Sequence, residues 1–165
     1  MNLLIEEIAR VALIGIGATA VMDLWLLLLQ RLRIPTLNFA LVGRWVGHWR
    51  RGVFTHASIA KAAPVKGELA LGWLAHYATG VAFGALLAGL GGVQWIHSPT
   101  LLPALAVGVG TVAAPWLLMQ PAMGAGVASS RTPSPAGNRA RSLANHAVFG
   151  LGLYVAALLL AWISR

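Results

Sequence analysis

The 165-residue chain contains no cysteine and only four acidic residues. The missing thiols exclude disulfides, thiolate metal sites and cysteine nucleophiles together, and leave no thiol from which to read a redox compartment. Two of the acids, Glu6 and Glu7, stand near the N-terminus, so paired-carboxylate hydrolysis has almost nothing to work with. Charged residues of either sign amount to 10%, against about 25% in soluble domains. No order of Ser, His and Asp reads as a catalytic triad, and neither Glu-x-x-His nor His-Glu-x-x-His occurs.

What the chain does have is apolar residues, 58% of the total, with a mean hydropathy of +0.76. That excludes global disorder and argues against a water-soluble globule. The net charge of +8 is the kind of balance found in nucleic-acid binders, but its distribution speaks for a membrane. Seven of the twelve Lys/Arg fall between Arg31 and Lys66, and three more between Arg131 and Arg141. They flank apolar runs and form no extended face, as the positive-inside bias requires. No nucleic-acid partner is expected.

Four runs are long enough to cross a bilayer as helices, which takes about 20 residues. They cover residues 11–30, 69–91, 101–120 and 143–163. Each is continuous and none alternates, and backbone groups in lipid must be paired within their own segment. The predicted fold is therefore all-α, a four-helix transmembrane bundle forming one domain over residues 1–165. The acidic Glu6 and Glu7 speak against a cleaved signal peptide, so the first run is read as a retained span. Loops 31–68 and 121–142 carry the positive charge and are placed in the cytoplasm. Both termini and the short connection 92–100 are placed outside it. Trp95 and Trp162 would then mark the outer interface and Trp73 the inner one.

Within the first loop, Leu41, Val42, Trp45, Val46, Trp49 and Val53 recur at helical spacing, with Arg44, His48 and Arg51 opposite them. This pattern predicts an amphipathic helix lying on the inner leaflet; the alternative is a short helix packed over the bundle. His48 and His56, with Arg44, Arg50 and Arg51, form a basic group suited to lipid phosphate or to simple topology-setting. Membrane lipids are one expected partner. A second copy of the chain, or another membrane protein, is the other.

Gly15-x-Gly17-x-x-Ala20 and Gly108-x-Gly110-x-x-Ala113 match the dinucleotide fingerprint in form only. They lie inside apolar runs, and Arg31 and Arg33 follow the first where an acid is required. Close helix contact explains Gly15, Gly108 and Gly150 better, and likewise Gly72, Gly80 and Gly84, which lie with His76 along one stripe. Gly15-Ile16-Gly17 echoes Gly108-Val109-Gly110, and His76-x-x-x-Gly80 echoes His146-x-x-x-Gly150. Two parallel-oriented hairpins would produce that echo.

Asp23 is the costliest residue for a bilayer, at roughly 2.5–3.5 kcal/mol at helix centre. It shares a stripe with Thr19. Counting residues at 1.5 Å each places Asp23 and His76 ~10 Å below the cytoplasmic interface, and His146 ~5 Å below it. These four polar residues admit three readings. They are a hydrogen-bonded cluster that fixes helix register, with Asp23 accepting from His76 or Thr19. Or Asp23, His76 and His146 relay protons or cations. Or His76 and His146 ligate haem or a transition metal. No cofactor is predicted; haem or a metal stays open through these two histidines.

Five segments carry a resemblance. They are Gly-Ala-Thr-Ala-Val-Met-Asp-Leu-Trp (17–25), Gly-Arg-Trp-Val-Gly-His (43–48), Gly-Trp-Leu-Ala-His-Tyr-Ala-Thr-Gly (72–80), Gln-Pro-Ala-Met-Gly-Ala-Gly (120–126) and His-Ala-Val-Phe-Gly-Leu-Gly-Leu-Tyr (146–154). Together they resemble a bacterial family of small four-span membrane proteins of unknown function. The resemblance covers nearly the whole chain. It implies a cytoplasmic-membrane location and no particular activity. The leading expectation is a non-enzymatic accessory or oligomeric subunit; the alternatives are a small proton- or cation-coupled transporter or channel, and a haem- or metal-binding electron-transfer subunit.

Overall fold

The computed structural model describes residues 3–164, and every regular element among them is helical. The long helices are α1 (Leu3–Arg31), α3 (Glu68–His97) and α6 (Pro135–Ile163). Between α1 and α3 lies the short α2 (Phe39–His48). Between α3 and α6, α4 (Leu101–Gly110) continues through a π-helical turn, Pro115–Met119, into α5 (Gln120–Ala122). Pro115 has no N–H to donate, and a single widened turn is how a helix absorbs that loss. Four stretches, Leu3–Arg31, Glu68–His97, Leu101–Ala122 and Pro135–Ile163, are long and apolar enough to cross a membrane. The chain is a multi-pass integral membrane protein.

The helices overrun the expected spans. α1 starts at Leu3, where Arg10 pairs with Glu6 one turn away at 3.5 Å. α6 starts at Pro135, the first helical position being one where a missing N–H costs nothing. α3 reaches His97 across a break at Gly92, whose φ of 73° only glycine adopts freely. The break turns Trp95 and Ile96 inward, to 6% and 3% exposure. Trp95 thus packs against protein, and its indole donates to the Thr100 carbonyl at 3.1 Å. Trp162 is exposed, as is Trp73 to a smaller degree.

The chain divides into two compact units. The first contains residues 1–35, 77–111 and 144–165. Its core joins Ile14 and Ala18 of α1, Leu87 of α3, Ala104 of α4, and Phe149 and Leu153 of α6. Glycine sets how near the helices come. A Cβ on Gly15 would stand 2.6 Å from the Gly80 carbonyl oxygen, and one on Gly84 3.2 Å from the Gly15 Cα. A Cβ on Gly150 would stand 2.9 Å from the Ala104 carbonyl oxygen, and one on Gly108 would collide with the Gly150 Cα. Between α1 and α6, a Cβ on Gly152 would reach the Ala18 Cα at 2.9 Å. The α1–α3 and α4–α6 contacts are thus built alike, with the first glycine of a Gly-x-Gly against the glycine four residues after a histidine. The echo noted in the sequence is an echo of packing.

The second unit contains residues 36–76 and 112–143. Here α2 lies against the first turns of α3. A Cβ on Gly43 would collide with the Glu68 carbonyl oxygen, and one on Gly72 with the Phe39 carbonyl oxygen. A Cβ on Gly47 would meet Val65 at 2.8 Å. Two backbone bonds, His56 N–H to the Ala122 carbonyl at 2.8 Å and Ile59 N–H to the Met123 carbonyl at 3.1 Å, tie the first loop to the third.

The glycine contacts predict a contrast. Gly43→Ala forces backbone against backbone and should lower the melting temperature in detergent, by an amount equivalent to about 1–3 kcal/mol. Gly89→Ala, where an added Cβ meets nothing within 4 Å, should not lower it. Thermal unfolding of the two purified variants, side by side, checks this.

Candidate functional site

A polar side chain within an apolar helix must find a partner on its own helix or on the next one. In the first unit, several find the next one. The Tyr77 hydroxyl of α3 donates to Asp23 Oδ2 of α1 at 2.8 Å. The Trp25 indole N–H of α1 donates to Asn145 Oδ1 of α6 at 2.9 Å. On α4, the Thr111 hydroxyl donates to the Gly108 carbonyl at 2.6 Å and stands 3.0 Å from His146 Nδ1 of α6. His146 Nδ1 is also 3.2 Å from the Gly108 carbonyl. That carbonyl can only accept, so Nδ1 carries a hydrogen. Thr19 instead donates to Gly15 on its own helix at 2.8 Å. Its buried hydroxyl forms the floor against which Gly80 packs.

Tyr77, which the sequence reading did not single out, is a donor to Asp23. The structure places Asp23, Thr19 and His146 in the first unit and His76 in the second. There the His76 ring lies 4.5 Å from Phe39 and 5.8 Å from Trp73, in an aromatic group closed by Phe39 and Trp73 at 4.4 Å.

Energies say what these bonds can do. An interhelical bond in a membrane contributes about 0.6–2 kcal/mol, below the insertion cost of a central carboxylate. The Tyr77 bond alone does not offset Asp23. Asp23 lies eight residues, about 12 Å, from the end of α1 at Arg31.

The first-loop helix buries part of its expected polar side together with Val42 of the apolar one. Arg44 and His48, assigned to a solvent-facing basic side, are turned inward. Arg44 Nε and Nη2 each donate to the Glu68 carboxylate at 2.9 Å, and Nη1 reaches the Ala60 and Ala62 carbonyls at 3.2 Å. The fork of hydrogen bonds to Glu68 raises the Arg44 pKa above its ordinary value, against the opposing effect of desolvation. His48 is 7% exposed; its Nε2 donates to the Ala63 carbonyl at 3.0 Å and its Nδ1 meets His56 Nε2 at 2.7 Å. The reason is Gly43 and Gly47, one turn apart: the face that carries them is the one close enough to dock. Arg51 lies beyond α2 in a 3-10 turn, Trp49–Arg51, and is exposed.

Several partners escaped the sequence reading, namely Tyr77, Trp25, Asn145 and Glu68. A signal existed for two of them. Tyr77 and Asn145 each adjoin a singled-out histidine and interrupt an apolar run. Among the described residues, no three His, Asp or Glu side chains come together at metal-binding spacing.

The family described as "Protein of unknown function (DUF2938)" matches residues 12–160 of the chain. No curated protein and no solved structure matches it.

The Trp25–Asn145 bond joins two helices through one donor and one acceptor, which makes it measurable. A double-mutant cycle of Trp25→Phe and Asn145→Ala should show a coupling of about 0.6 kcal/mol in detergent unfolding. Additive single-site losses would mean the bond contributes nothing.

Proposed function

We propose that this chain, which belongs to that family of unknown function, is a non-enzymatic structural subunit of the bacterial cytoplasmic membrane that assembles with its own copies or with another membrane protein. The observation that carries this reading is the engagement of the intramembrane polar groups. Asp23, Trp25, Thr111 and His146 each meet a group on a neighbouring helix of the same unit. Polar residues used in this way hold helices in register; they do not line a path.

The outer face of α3 adds support. A stripe of exposed small residues, Ala78, Ala82, Ala85 and Gly89, recurs at helical spacing between the exposed Leu74 and Leu90, whereas α1 exposes Leu13, Ile16, Leu24, Leu27 and Leu28. A leucine-lined face suits lipid. A small-residue face lets a further helix approach. The orientation that accords with the charge is loops 31–68 and 121–142 in the cytoplasm and both termini outside.

Gly89→Leu tests the reading. It should leave unfolding of the isolated chain unchanged and reduce the complex recovered after mild detergent extraction. Unchanged recovery would count against a subunit role. Asp23→Asn should leave proton flux into liposomes at the wild-type level. A flux that depends on Asp23, or a Soret band in the purified protein, would replace this reading with transport or with electron transfer.

Orientation is open to a clean test because the chain has no native cysteine. Ser98→Cys should react with a membrane-impermeant maleimide in intact cells, and Lys61→Cys only after permeabilisation. The reverse pattern would invert the topology.

A further inference from the structure

The four Asp and Glu side chains all have partners within the protein. Glu6 pairs with Arg10 at 3.5 Å and Glu7 with His97 at 2.8 Å. Asp23 takes the Tyr77 hydroxyl, and Glu68 takes the Arg44 guanidinium. The second unit holds eight Lys/Arg against the single acid Glu68. The second unit is therefore strongly cationic.

Two of these cations, Arg50 and Arg51, sit in an aromatic corner. α2 runs into the Trp49–Arg51 turn, and the chain reverses at Gly52 with φ 71°. The Gly52 N–H bonds to the Trp49 carbonyl at 3.0 Å and the Val53 N–H to the His48 carbonyl at 3.3 Å. The reversal brings Phe54 back over the helix end. The Trp45 indole donates to the Phe54 carbonyl at 2.8 Å. The Trp45 and Trp49 rings meet edge-on at 4.9 Å, and Trp49 and Phe54 lie 6.3 Å apart. Despite this order, Trp49, Val53 and Phe54 remain 41%, 42% and 58% exposed. Segment 32–67 joins two membrane-crossing helices, so the corner lies on the membrane side where α1 ends and α3 begins.

We infer that Trp49, Arg50, Arg51 and Phe54 form a binding site for the phosphodiester headgroup of an anionic phospholipid. The two guanidinium groups supply donors and charge for the phosphate. The exposed rings supply the amphipathic surface that favours the headgroup level of a bilayer. A soluble anion would satisfy the arginines and leave Val53 and Phe54 uncovered. A lipid covers both.

The test uses the full chain in mild detergent, titrated with phosphatidylglycerol or phosphatidylcholine, with bound lipid counted by native mass spectrometry. The wild type should retain phosphatidylglycerol preferentially. The double variant Arg50→Gln/Arg51→Gln should bind it about thirtyfold more weakly. Lys61→Gln/Lys66→Gln, which removes two exposed cations away from the rings, should keep most of the binding. Phe54→Ser, which alters no charge, should weaken it. Circular dichroism and elution volume establish that each variant is folded. Equal losses in the arginine and lysine variants would reduce the effect to diffuse attraction and overturn the site. So would an absence of lipid preference, an unaltered Phe54→Ser, or displacement of the lipid by inorganic phosphate at equal concentration.

Discussion

Helices dissolved in hydrocarbon gain nothing by hiding leucine from one another, because the solvent is as apolar as the side chain. Association must come from short-range dispersion and from hydrogen bonds that lipid cannot supply. The first unit is organised around that constraint. Where α1 meets α3, Gly15 and Gly80 let backbone touch backbone; where α4 meets α6, Gly108 and Gly150 do the same. Dispersion falls off so steeply that a single methyl at any of these points would separate the surfaces it is meant to join. Many leucines, by contrast, remain outside: Leu24 and Leu90 are 67% and 72% exposed.

Close approach and hydrogen bonding serve different ends. Glycine contacts fix distance but tolerate sliding, since one small residue resembles another. A bond such as Trp25 to Asn145, or His146 to Thr111, fixes one register. α1 is joined to α3 and to α6, and α4 to α6, by contacts of both kinds. In the second unit the same division recurs with charge. Gly43 and Gly72 bring α2 down onto α3, and the Arg44–Glu68 fork, reaching on to the carbonyls of residues 60 and 62, holds it in place.

The four spans were legible because hydrocarbon imposes length, continuity and helicity on any segment that crosses it. The glycines were legible because small residues at spacing four stand out among leucines. Partner choice was not. Depth bookkeeping says nothing of rotation, and the Tyr77 hydroxyl, which meets the Asp23 carboxylate, was passed over. The α2 face was misread for a related reason. Counting apolar positions at helical spacing cannot see glycine, and the Gly43–Gly47 edge decided which side went inward. Arg44 and His48 followed it in.

The likeness between the two hairpins reaches further than their glycines. Carrying the offset that relates Gly15 to Gly108 along to Asp23 lands on Trp116, and the offset that relates His76 to His146 takes Tyr77 to Ala147. The acid and the phenol that bond in one half are both replaced in the other. The two halves thus share a glycine scaffold while each hangs its own polar contacts on it.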